Sequence, residues 1–305
     1  MNDGPLVSIV VNFLNAERFI EEALESAFAQ TYQRWELLLV DDGSTDGSTE
    51  IARRYAAENP DRLRYLEHPD HTNRGMSASR NLGIRSARGQ YIAFLDADDV
   101  WLSRKLEQQV RILDSQPQAA MVYGLSEYWY SWSDDTHPNR DFLHELGVPS
   151  HTLIRPPTLI TRFFLAQDAA VPSPTDILVR REVVERIGGF EESFRGPYED
   201  QALYAKLCLV EPVFAVNACW DRVRQDFGST DWVMAQGSEA YATRLVFLTW
   251  LARYLAEERV DDPDILRRLQ KELWRCRHPT LSRLWSERRK VPREIVRRAL
   301  ARGLR

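Results

Sequence analysis

Short apolar runs alternate with segments of helical periodicity along the first 125 residues. Residues 6–11 read Leu-Val-Ser-Ile-Val-Val, which is typical of a parallel strand covered on both faces. Residues 16–30 place apolar side chains on one helical face, and Asn15 precedes them as a candidate N-cap. Further strands are predicted at 36–40, 63–67, 91–95 and 119–123, with helices at 48–58, 76–87 and from Ser103. This alternation predicts right-handed βαβ units and a mainly parallel sheet.

The pattern changes after residue 125. Residues 125–175 are irregular and rich in aromatic residues, Pro, His and Asp, and the strand and helix pattern returns from about residue 177. Beyond Ser238 the pattern is helical. We therefore predict an α/β domain over residues 1–235 and a helical C-terminal region over residues 236–305.

The composition narrows the class of protein. The 305 residues are 44% hydrophobic, which supplies a large buried core. No run approaches the ~18 apolar residues that span a bilayer, and the N-terminus lacks the basic and apolar regions of a secretory signal. The three cysteines, Cys208, Cys219 and Cys276, form neither a disulfide framework nor a zinc-binding pattern. We expect a cytoplasmic protein with reduced thiols.

The net charge of -5 is unevenly distributed. Residues 271–305 contain 12 Lys or Arg and 3 Asp or Glu, a balance of +9, which leaves -14 on the remainder. The acidic body argues against nucleic acid as the main partner. The basic tail, with an apolar face at Ile295, Val296, Ala299 and Leu300, fits a peripheral contact with an anionic membrane at its inner face. A solvated helix face and an oligomer contact explain the tail equally well.

Acidic residues follow two of the predicted strands. Asp41 and Asp42 end one strand, and residues 96–99 read Asp-Ala-Asp-Asp after another. Ligands of such sheets bind beyond the carboxyl ends of the strands. Three carboxylates within four residues repel one another, so Mg²⁺ or Mn²⁺ with oxygen ligands is a natural partner. A solvated acidic turn is the alternative.

Two observations limit the kind of ligand. The glycine-rich phosphate loops of dinucleotide dehydrogenases and P-loop enzymes are missing, so both classes fit poorly. Residues 41–48 are rich in Asp, Gly and Ser and could form an ordinary turn. A carboxylate in that segment could equally accept the N–H of a nucleobase, and the residues alone leave both interpretations open.

Several short segments occur in a characteristic order along the chain. They are residues 7–11 with Asn15, then 40–46, 73–81, 94–99, 188–190 and 199–200. In this order they resemble the motifs of the inverting glycosyltransferase family 2, which has the GT-A fold, over residues 6–125 and 175–230. The resemblance implies an α/β GT-A domain, with a mainly parallel sheet flanked by helices, followed here by the helical C-terminal region.

The resemblance also implies roles in binding a nucleotide-sugar donor. Asp41 would bind the base, expected to be uracil, and Asn12 would line the same pocket. Asp96 would hold the ribose or a metal-bound water. Arg74 and Arg80 lie where the family often has groups near the nucleotide. A surface arginine and a helix-packing arginine, respectively, are equal alternatives for those two residues.

The remaining implied roles concern the metal and the reaction. Asp98 would ligate Mg²⁺ or Mn²⁺ directly. Glu199 and Asp200 match the acidic pair of the family, with Asp200 as the general base that removes the proton of the acceptor hydroxyl. Carboxylates at the start of a helix are also favoured by its dipole for stability alone, but the preceding Gly-Gly-Phe segment at 188–190 favours catalysis.

The chain departs from the family pattern at two positions. Leu14, still a candidate for donor binding, stands where an aromatic residue often stacks on the base, so the grip on the base is expected to differ. Asp226 lies in the segment 223–230, Val-Arg-Gln-Asp-Phe-Gly-Ser-Thr, where the family usually has a histidine. Asp226 could ligate the metal with added negative charge, or this contact could be lost.

We therefore expect a metal-dependent, inverting glycosyltransferase that moves a sugar from a nucleoside diphosphate to a glycan or lipid-linked acceptor in surface polysaccharide or glycan synthesis. A sugar-phosphate nucleotidyltransferase is one rival, but residues 12–16 lack the glycine-rich, basic loop that such an enzyme needs. A nucleotide-sugar-binding protein without catalysis is another. The departure at Asp226 favours this second rival, whereas Asp98 and Asp200 argue against it.

Overall fold

The computed structural model describes residues 4–133, 140–225 and 237–280. The chain forms two compact units, Met1–Val233 and Met234–Arg305. The domain boundary predicted at residues 235 and 236 lies outside the described residues, as do Asp226 and residues 281–305 of the basic tail. Those predictions stay untested.

The first unit alternates strands and helices. Its strands are β1 (Val7–Phe13), β2 (Trp35–Asp41), β3 (Leu63–Glu67), β4 (Tyr91–Phe94), β5 (Val100–Trp101), β6 (Met121–Trp129), β7 (Phe142–Leu143), β8 (Thr152–Ile154), β9 (Leu178–Arg180) and β10 (Val213–Arg224). Its helices are α1 (Ile20–Phe28), α2 (Ser48–Glu58), α3 (Met76–Ser86), α4 (Lys105–Ser115), α5 (Arg181–Arg186) and α6 (Glu199–Val210). A 3₁₀ turn at Pro69–His71 and a π-helical segment at Ile160–Ala166 complete the described elements.

The strands form one mixed sheet in the order β3-β2-β1-β4-β9-β6-β10-β5, with β7 beside β6 and β8 beside β10. Strands β3, β2, β1 and β4 are parallel, as the βαβ pattern predicts. Strand β9 lies antiparallel between β4 and β6. The segment before β9 lies at the carboxyl end of β4, where Thr175 contacts Asp96 and Asp99. Strand β9 therefore starts at that end and runs in the direction opposite to β4.

Every residue of β1 and β2 is buried, which agrees with their apolar sequences. The prediction that Asn15 caps the following helix is wrong, because α1 begins at Ile20 and has no side-chain cap. Asn15 has a positive φ of 51° instead. Its Oδ1 accepts hydrogen bonds from the backbone N–H of Thr45, at 2.8 Å, and from the Thr45 hydroxyl, at 3.3 Å. Asn15 therefore joins the loops that follow β1 and β2.

The second unit contains α7 (Gly237–Glu257) and α8 (Pro263–Arg277) among its described residues. Helix α8 begins with Asp262, whose Oδ1 accepts the backbone N–H groups of Asp264 and Ile265 at 2.8 and 3.2 Å, and with Pro263 in its first turn. These helices agree with the helical pattern of the sequence. Within the described ranges, no helix combines the length and apolar character needed to cross a membrane.

Helix α3 approaches β1 closely at Gly83. A Cβ on Gly83 would lie 3.0 Å from Val10 Cγ2 and closer still to Val10 Cγ1. Alanine favours a helix over glycine by about 1 kcal/mol, but overpacking against a fully buried valine costs about 1–3 kcal/mol. We expect Gly83→Ala to lower the free energy of unfolding in urea.

Gly196→Ala is the matched control for this prediction. No atom lies within 4 Å of a Cβ built on Gly196, and its φ lies outside the left-handed region. Its free energy of unfolding should change by no more than about 0.5 kcal/mol. A Gly83→Ala variant as stable as Gly196→Ala would contradict the tight packing between α3 and β1.

Candidate active site

Arg80 on α3 contacts four segments of the predicted site. It is 1% exposed, and its Nε donates to Asn12 Oδ1 on β1 at 3.1 Å. Its two terminal nitrogens donate to Glu199 Oε1 and Asp96 Oδ1, both at 2.6 Å. The guanidinium carbon also lies 5.2 Å from the centre of the Phe190 ring. Arg80 therefore gathers residues from β1, the loop after β4, the Gly-Gly-Phe segment and the start of α6.

The charge of Arg80 is well compensated. Burial by itself would lower the pKa of the guanidinium, but the carboxylates of Asp96 and Glu199 outweigh it and raise the pKa. Arg80 therefore stays charged at any physiological pH, and its hydrogen bonds hold Asp96 and Glu199 in fixed positions. Arg80 is almost fully buried among these partners, and its predicted role near the nucleotide stays a prediction.

The acidic loop, residues 96–99, presents its carboxylates differently. Asp98 is exposed, whereas Asp99 is buried and accepts the Thr175 hydroxyl at 2.7 Å and the backbone N–H of Arg224 at 3.0 Å. Asp98 has accessible surface, but protein surrounds its carboxylate on most sides, and this partial desolvation together with the charge of Asp96 raises the pKa of Asp98 to about 6. Asp98 is therefore mostly ionised at neutral pH while it lies close to another carboxylate.

This donor set fits a divalent cation. Among the described residues, the Asp98 carboxylate receives a hydrogen bond from its own backbone N–H, and a cation would relieve its repulsion with Asp96. The described ranges contain no group of three His, Cys, Asp or Glu side chains that could hold a metal ion. Asp226, the other predicted ligand, lies outside them. Of the two predicted metal ligands, Asp98 is thus the one that the structure describes, and it is exposed to solvent.

Asp41 and Asp42, at the end of β2, have most of their oxygen lone pairs occupied. The buried Asp41 carboxylate accepts the Ser44 backbone N–H at 2.8 Å, the Thr49 hydroxyl at 2.5 Å and the Tyr65 hydroxyl at 3.0 Å. A carboxylate has about four acceptor positions, so one remains for a further N–H donor. The Asp41 side chain has no exposed surface in this structure, so contact with a base would require a local rearrangement.

Two other donor-binding candidates lie at the surface. Leu14, at the end of β1, is 44% exposed, and Arg74 is exposed as well. The backbone N–H of Arg74 donates to Asp42 Oδ1 at 2.7 Å, and that of Gly75 donates to both oxygens at 3.1 and 3.0 Å. Asp42 therefore fixes the start of α3 and leaves the Arg74 side chain accessible to a ligand.

The two acidic residues at the start of α6 differ in burial and in hydrogen-bond partners. Glu199 is buried on Arg80, whereas Asp200 is half-buried and its Oδ1 accepts the backbone N–H of Gln201 at 2.7 Å. Tyr198, just before them, has a φ of 74°, a conformation that costs a tyrosine on the order of 1 kcal/mol or more. Glu199 is thus held by Arg80, and Asp200 is the more exposed carboxylate of the two.

Sequence reasoning missed the part played by Arg224, at the end of β10. Its Nε donates to the carbonyl oxygen of Asp98 at 2.7 Å. Its guanidinium carbon lies 4.6–4.9 Å from the ring centres of Phe19, Trp129 and Trp132, an arrangement that favours a cation. Arg224 occurs in the segment that resembles the family motif, but only the tertiary contacts reveal that it supports the acidic loop.

A buried charged cluster behind the acidic loop was also missed. Lys105 on α4 and the carboxyls of Asp176 and Asp221 are fully buried. Burial lowers the pKa of Lys105 to about 8, and burial together with Asp176 raises the pKa of Asp221. The spacing of Lys105 and Gln109 on the apolar face of α4 is the sequence signal that could have identified a buried lysine with a polar partner.

Known proteins share both sequence and fold with this chain. The family model described as glycosyl transferase family 2 matches residues 8–188. EpsE of Bacillus subtilis (strain 168), a proposed glycosyltransferase, is 44% identical over 122 residues, 40% of this chain and 43% of EpsE. TuaG of the same organism, a proposed glycosyltransferase of teichuronic acid biosynthesis, is 35% identical over 144 residues, 47% and 54% of the two chains. The chain thus spans about half the length of these relatives.

Solved structures extend the likeness to nearly the whole chain. Residues 1–349 of Staphylococcus aureus TarS, in complex with UDP, match with a TM-score of 0.65 and 19% identity over 94% of this chain and 76% of that one. The mannosyltransferase PcManGT of Pyrobaculum calidifontis, in complex with GDP-Man and Mn²⁺, matches with a TM-score of 0.57 and 20% identity over 93% and 79%. These likenesses confirm the predicted GT-A-type α/β fold with its helical C-terminal region.

Proposed function

This chain belongs to glycosyltransferase family 2, and from that premise we propose that it transfers a sugar from a UDP-sugar to an acceptor hydroxyl with inversion at the anomeric carbon. The observation that carries the proposal is the Arg80 network. It brings Asn12, Asp96 and Glu199 together at the carboxyl edge of the sheet, where ligands of such sheets bind. Asp200, the proposed general base, is the next residue after Glu199.

The donor would lie across the ends of β1, β2 and β4. Asp41 has one unoccupied acceptor position, which would accept the N–H of a uracil base once a local rearrangement exposes the buried carboxylate, and Asn12 lies at the same edge. Asp96, held by Arg80, would contact the ribose. The complexes of TarS with UDP and with UDP-GlcNAc support a uridine nucleotide, although PcManGT binds GDP-Man. The exposed Arg74 is a candidate for contact with the diphosphate.

The transfer itself needs a base and a stabilised leaving group. The acceptor hydroxyl gives its proton to Asp200 as its oxygen bonds to the anomeric carbon, and the bond from that carbon to the diphosphate breaks on the opposite side. Asp200 lies in the first turn of α6. Asp98, and in our proposal also Asp226, would hold Mg²⁺ or Mn²⁺, whose positive charge would stabilise the diphosphate as a leaving group.

The relatives support a polysaccharide or another glycan as the acceptor. Such an acceptor can be linked to a lipid. TuaG is named as a glycosyltransferase of teichuronic acid biosynthesis. The basic segment 271–305 would favour an acceptor at an anionic membrane surface, and most of it lies outside the described residues. We accordingly propose a cytoplasmic enzyme with a peripheral membrane contact.

UDP release tests the proposed function. Purified protein is incubated with UDP-hexoses and UDP-N-acetylhexosamines and Mg²⁺ or Mn²⁺, with and without EDTA and a panel of glycan acceptors. We expect UDP to appear with one donor, to increase with an acceptor, and to disappear with EDTA, because metal stabilises the diphosphate as it leaves. The product sugar should have the anomeric configuration opposite to that of the donor.

Each other outcome favours a different function. Synthesis of UDP-sugar from UTP and a sugar phosphate, without transfer, would identify a nucleotidyltransferase. Binding of UDP with no turnover on any acceptor of the panel would favour a nucleotide-sugar-binding protein. UDP release that is unchanged in EDTA would overturn the metal dependence while leaving the transferase activity intact.

A further inference from the structure

Thr175 touches both ends of the acidic loop. It is fully buried just before β9, and its hydroxyl donates to Asp99 Oδ2 at 2.7 Å. The same hydroxyl oxygen accepts the backbone N–H of Asp96 at 3.2 Å. One side chain from a distant part of the sequence therefore bridges the first and last carboxylate residues of the loop that carries Asp98.

The backbone around Thr175 is anchored on three elements. Trp101 Nε1 on β5 donates to the carbonyl oxygen of Thr175 at 2.9 Å. Lys105 Nζ on α4 donates to the carbonyl oxygen of Asp176 at 2.6 Å, and the backbone N–H of Gly124 on β6 donates to Asp176 Oδ2 at 2.6 Å. The Thr175 hydroxyl is thus presented from a rigid base of two strands and a helix.

The loop is fixed from its other side by β10. Asp99 Oδ1 accepts the backbone N–H of Arg224 at 3.0 Å, and Arg224 Nε donates to the carbonyl oxygen of Asp98 at 2.7 Å. Thr175 and Arg224 together hold the loop at the Asp96 backbone, the Asp98 backbone and the Asp99 carboxylate. The Asp98 carboxylate, which carries the proposed metal role, is left exposed between these fixed points.

We propose that Thr175 is a positioning residue that sets the geometry of Asp98 for a divalent cation, an inference that rests on the proposed function. A metal site needs its ligands within about 0.5 Å of the productive geometry, and Mg²⁺ is especially demanding. Loss of the hydroxyl would leave the Asp96 N–H without its acceptor and the buried Asp99 with one donor fewer. The loop would then move to regain hydrogen bonds.

Thr175→Val tests this inference, because valine keeps the shape of threonine and removes the hydroxyl. The affinity for UDP is measured by calorimetry in Mn²⁺ and again in EDTA. We expect Thr175→Val to weaken the Mn²⁺-dependent affinity about tenfold or more and the affinity in EDTA by less than about twofold. Thr175→Ser, which retains the hydroxyl, should restore the Mn²⁺-dependent affinity to within about threefold.

Ser8→Ala is the matched structural control. The buried Ser8 hydroxyl donates to Glu36 Oε1 at 2.7 Å and accepts the backbone N–H of Gly89 at 2.8 Å, the same pattern as Thr175. Ser8 lies near the start of β1, at the opposite end of the strand from the acidic loop. Ser8→Ala should lower the thermal unfolding temperature much as Thr175→Val does, and leave both UDP affinities unchanged.

The outcomes separate this inference from the proposed function. A wild-type protein that binds no UDP in Mn²⁺ would overturn both. A wild type that binds UDP, with Thr175→Val binding equally well in Mn²⁺ or losing as much affinity in EDTA, would overturn only the role of Thr175. If Thr175→Val does not fold, Asp99→Asn weakens the same contact from the other partner, and unchanged Mn²⁺-dependent affinity in that variant would overturn the role as well.

Discussion

Replacing Asp200 by Asn is expected to lower the rate of sugar transfer by about 10³-fold, because in the proposed mechanism the acceptor hydroxyl loses the carboxylate that takes its proton. The amide keeps the size of the side chain and cannot act as a base at neutral pH. Glu199, its neighbour, is held by Arg80 and cannot replace it. Steady-state measurement of UDP release with saturating donor and acceptor gives the change in kcat.

The effect of Asp200→Asn should be confined to the reaction. Donor affinity, measured by calorimetry with UDP and Mn²⁺, is expected to stay within about threefold of the wild-type value, because Asp200 acts on the acceptor. Asp264→Asn is the matched control, since Asp264 is also an acidic residue in the first turn of a helix. Its kcat should be that of the wild type. Equal losses in both variants, or none in Asp200→Asn, would remove Asp200 from the role of base.

Replacing Arg80 by Met should destabilise the protein by about 3–5 kcal/mol, because Asp96 and Glu199 lose the buried cation that compensates them. The methionine fills much of the volume but donates no hydrogen bond. The free energy of unfolding in urea at pH 7 measures the loss. UDP affinity should fall with it, since Asp96 and Asn12 are no longer held together.

The pH dependence identifies the cause of that loss. Without Arg80, Asp96 and Glu199 have no cation beside them, and protonation of either carboxylate would relieve the uncompensated charge. The deficit of Arg80→Met should therefore shrink as the pH falls towards about 4. A deficit that is constant with pH would indicate lost packing alone.

Two further variants bracket the effect of Arg80. Arg80→Lys keeps the charge but reaches fewer of the three acceptors, so its stability should lie between those of the wild type and Arg80→Met. Arg74→Met removes an exposed arginine from the same helix region and should change the stability by no more than about 0.5 kcal/mol. Arg80→Met as stable as Arg74→Met would contradict the central role of the network.

The resemblance to family 2 could be recognised from short local segments of the sequence. Asp41 and Asp98 follow apolar strands, and that local pattern is enough to predict that they lie at the carboxyl edge of a sheet. Asp200 follows Gly-Gly-Phe and opens a helix, which the periodicity also indicates. Features of this kind depend on neighbours within a few residues, so a single sequence contains them.

The strand order beyond β4 could not be predicted in this way. The pattern indicates strands but not partners, and β9 pairs antiparallel with β4 and β6, which lie far from it in the chain. The irregular segment 125–175 carries no periodic signal that would specify this return. Long-range pairing depends on the total burial of the sheet, a property that no local window of sequence contains.

For the acidic loop, the sequence by itself determined which carboxylates are present and that they follow a strand. Only the tertiary structure decided that Asp98 is exposed, that Asp99 is buried on Thr175 and Arg224, and that Arg80 compensates Asp96. The physical reason is that the charge state and the orientation of a carboxylate depend on its spatial neighbours. Those neighbours come from segments up to 125 residues away along the chain.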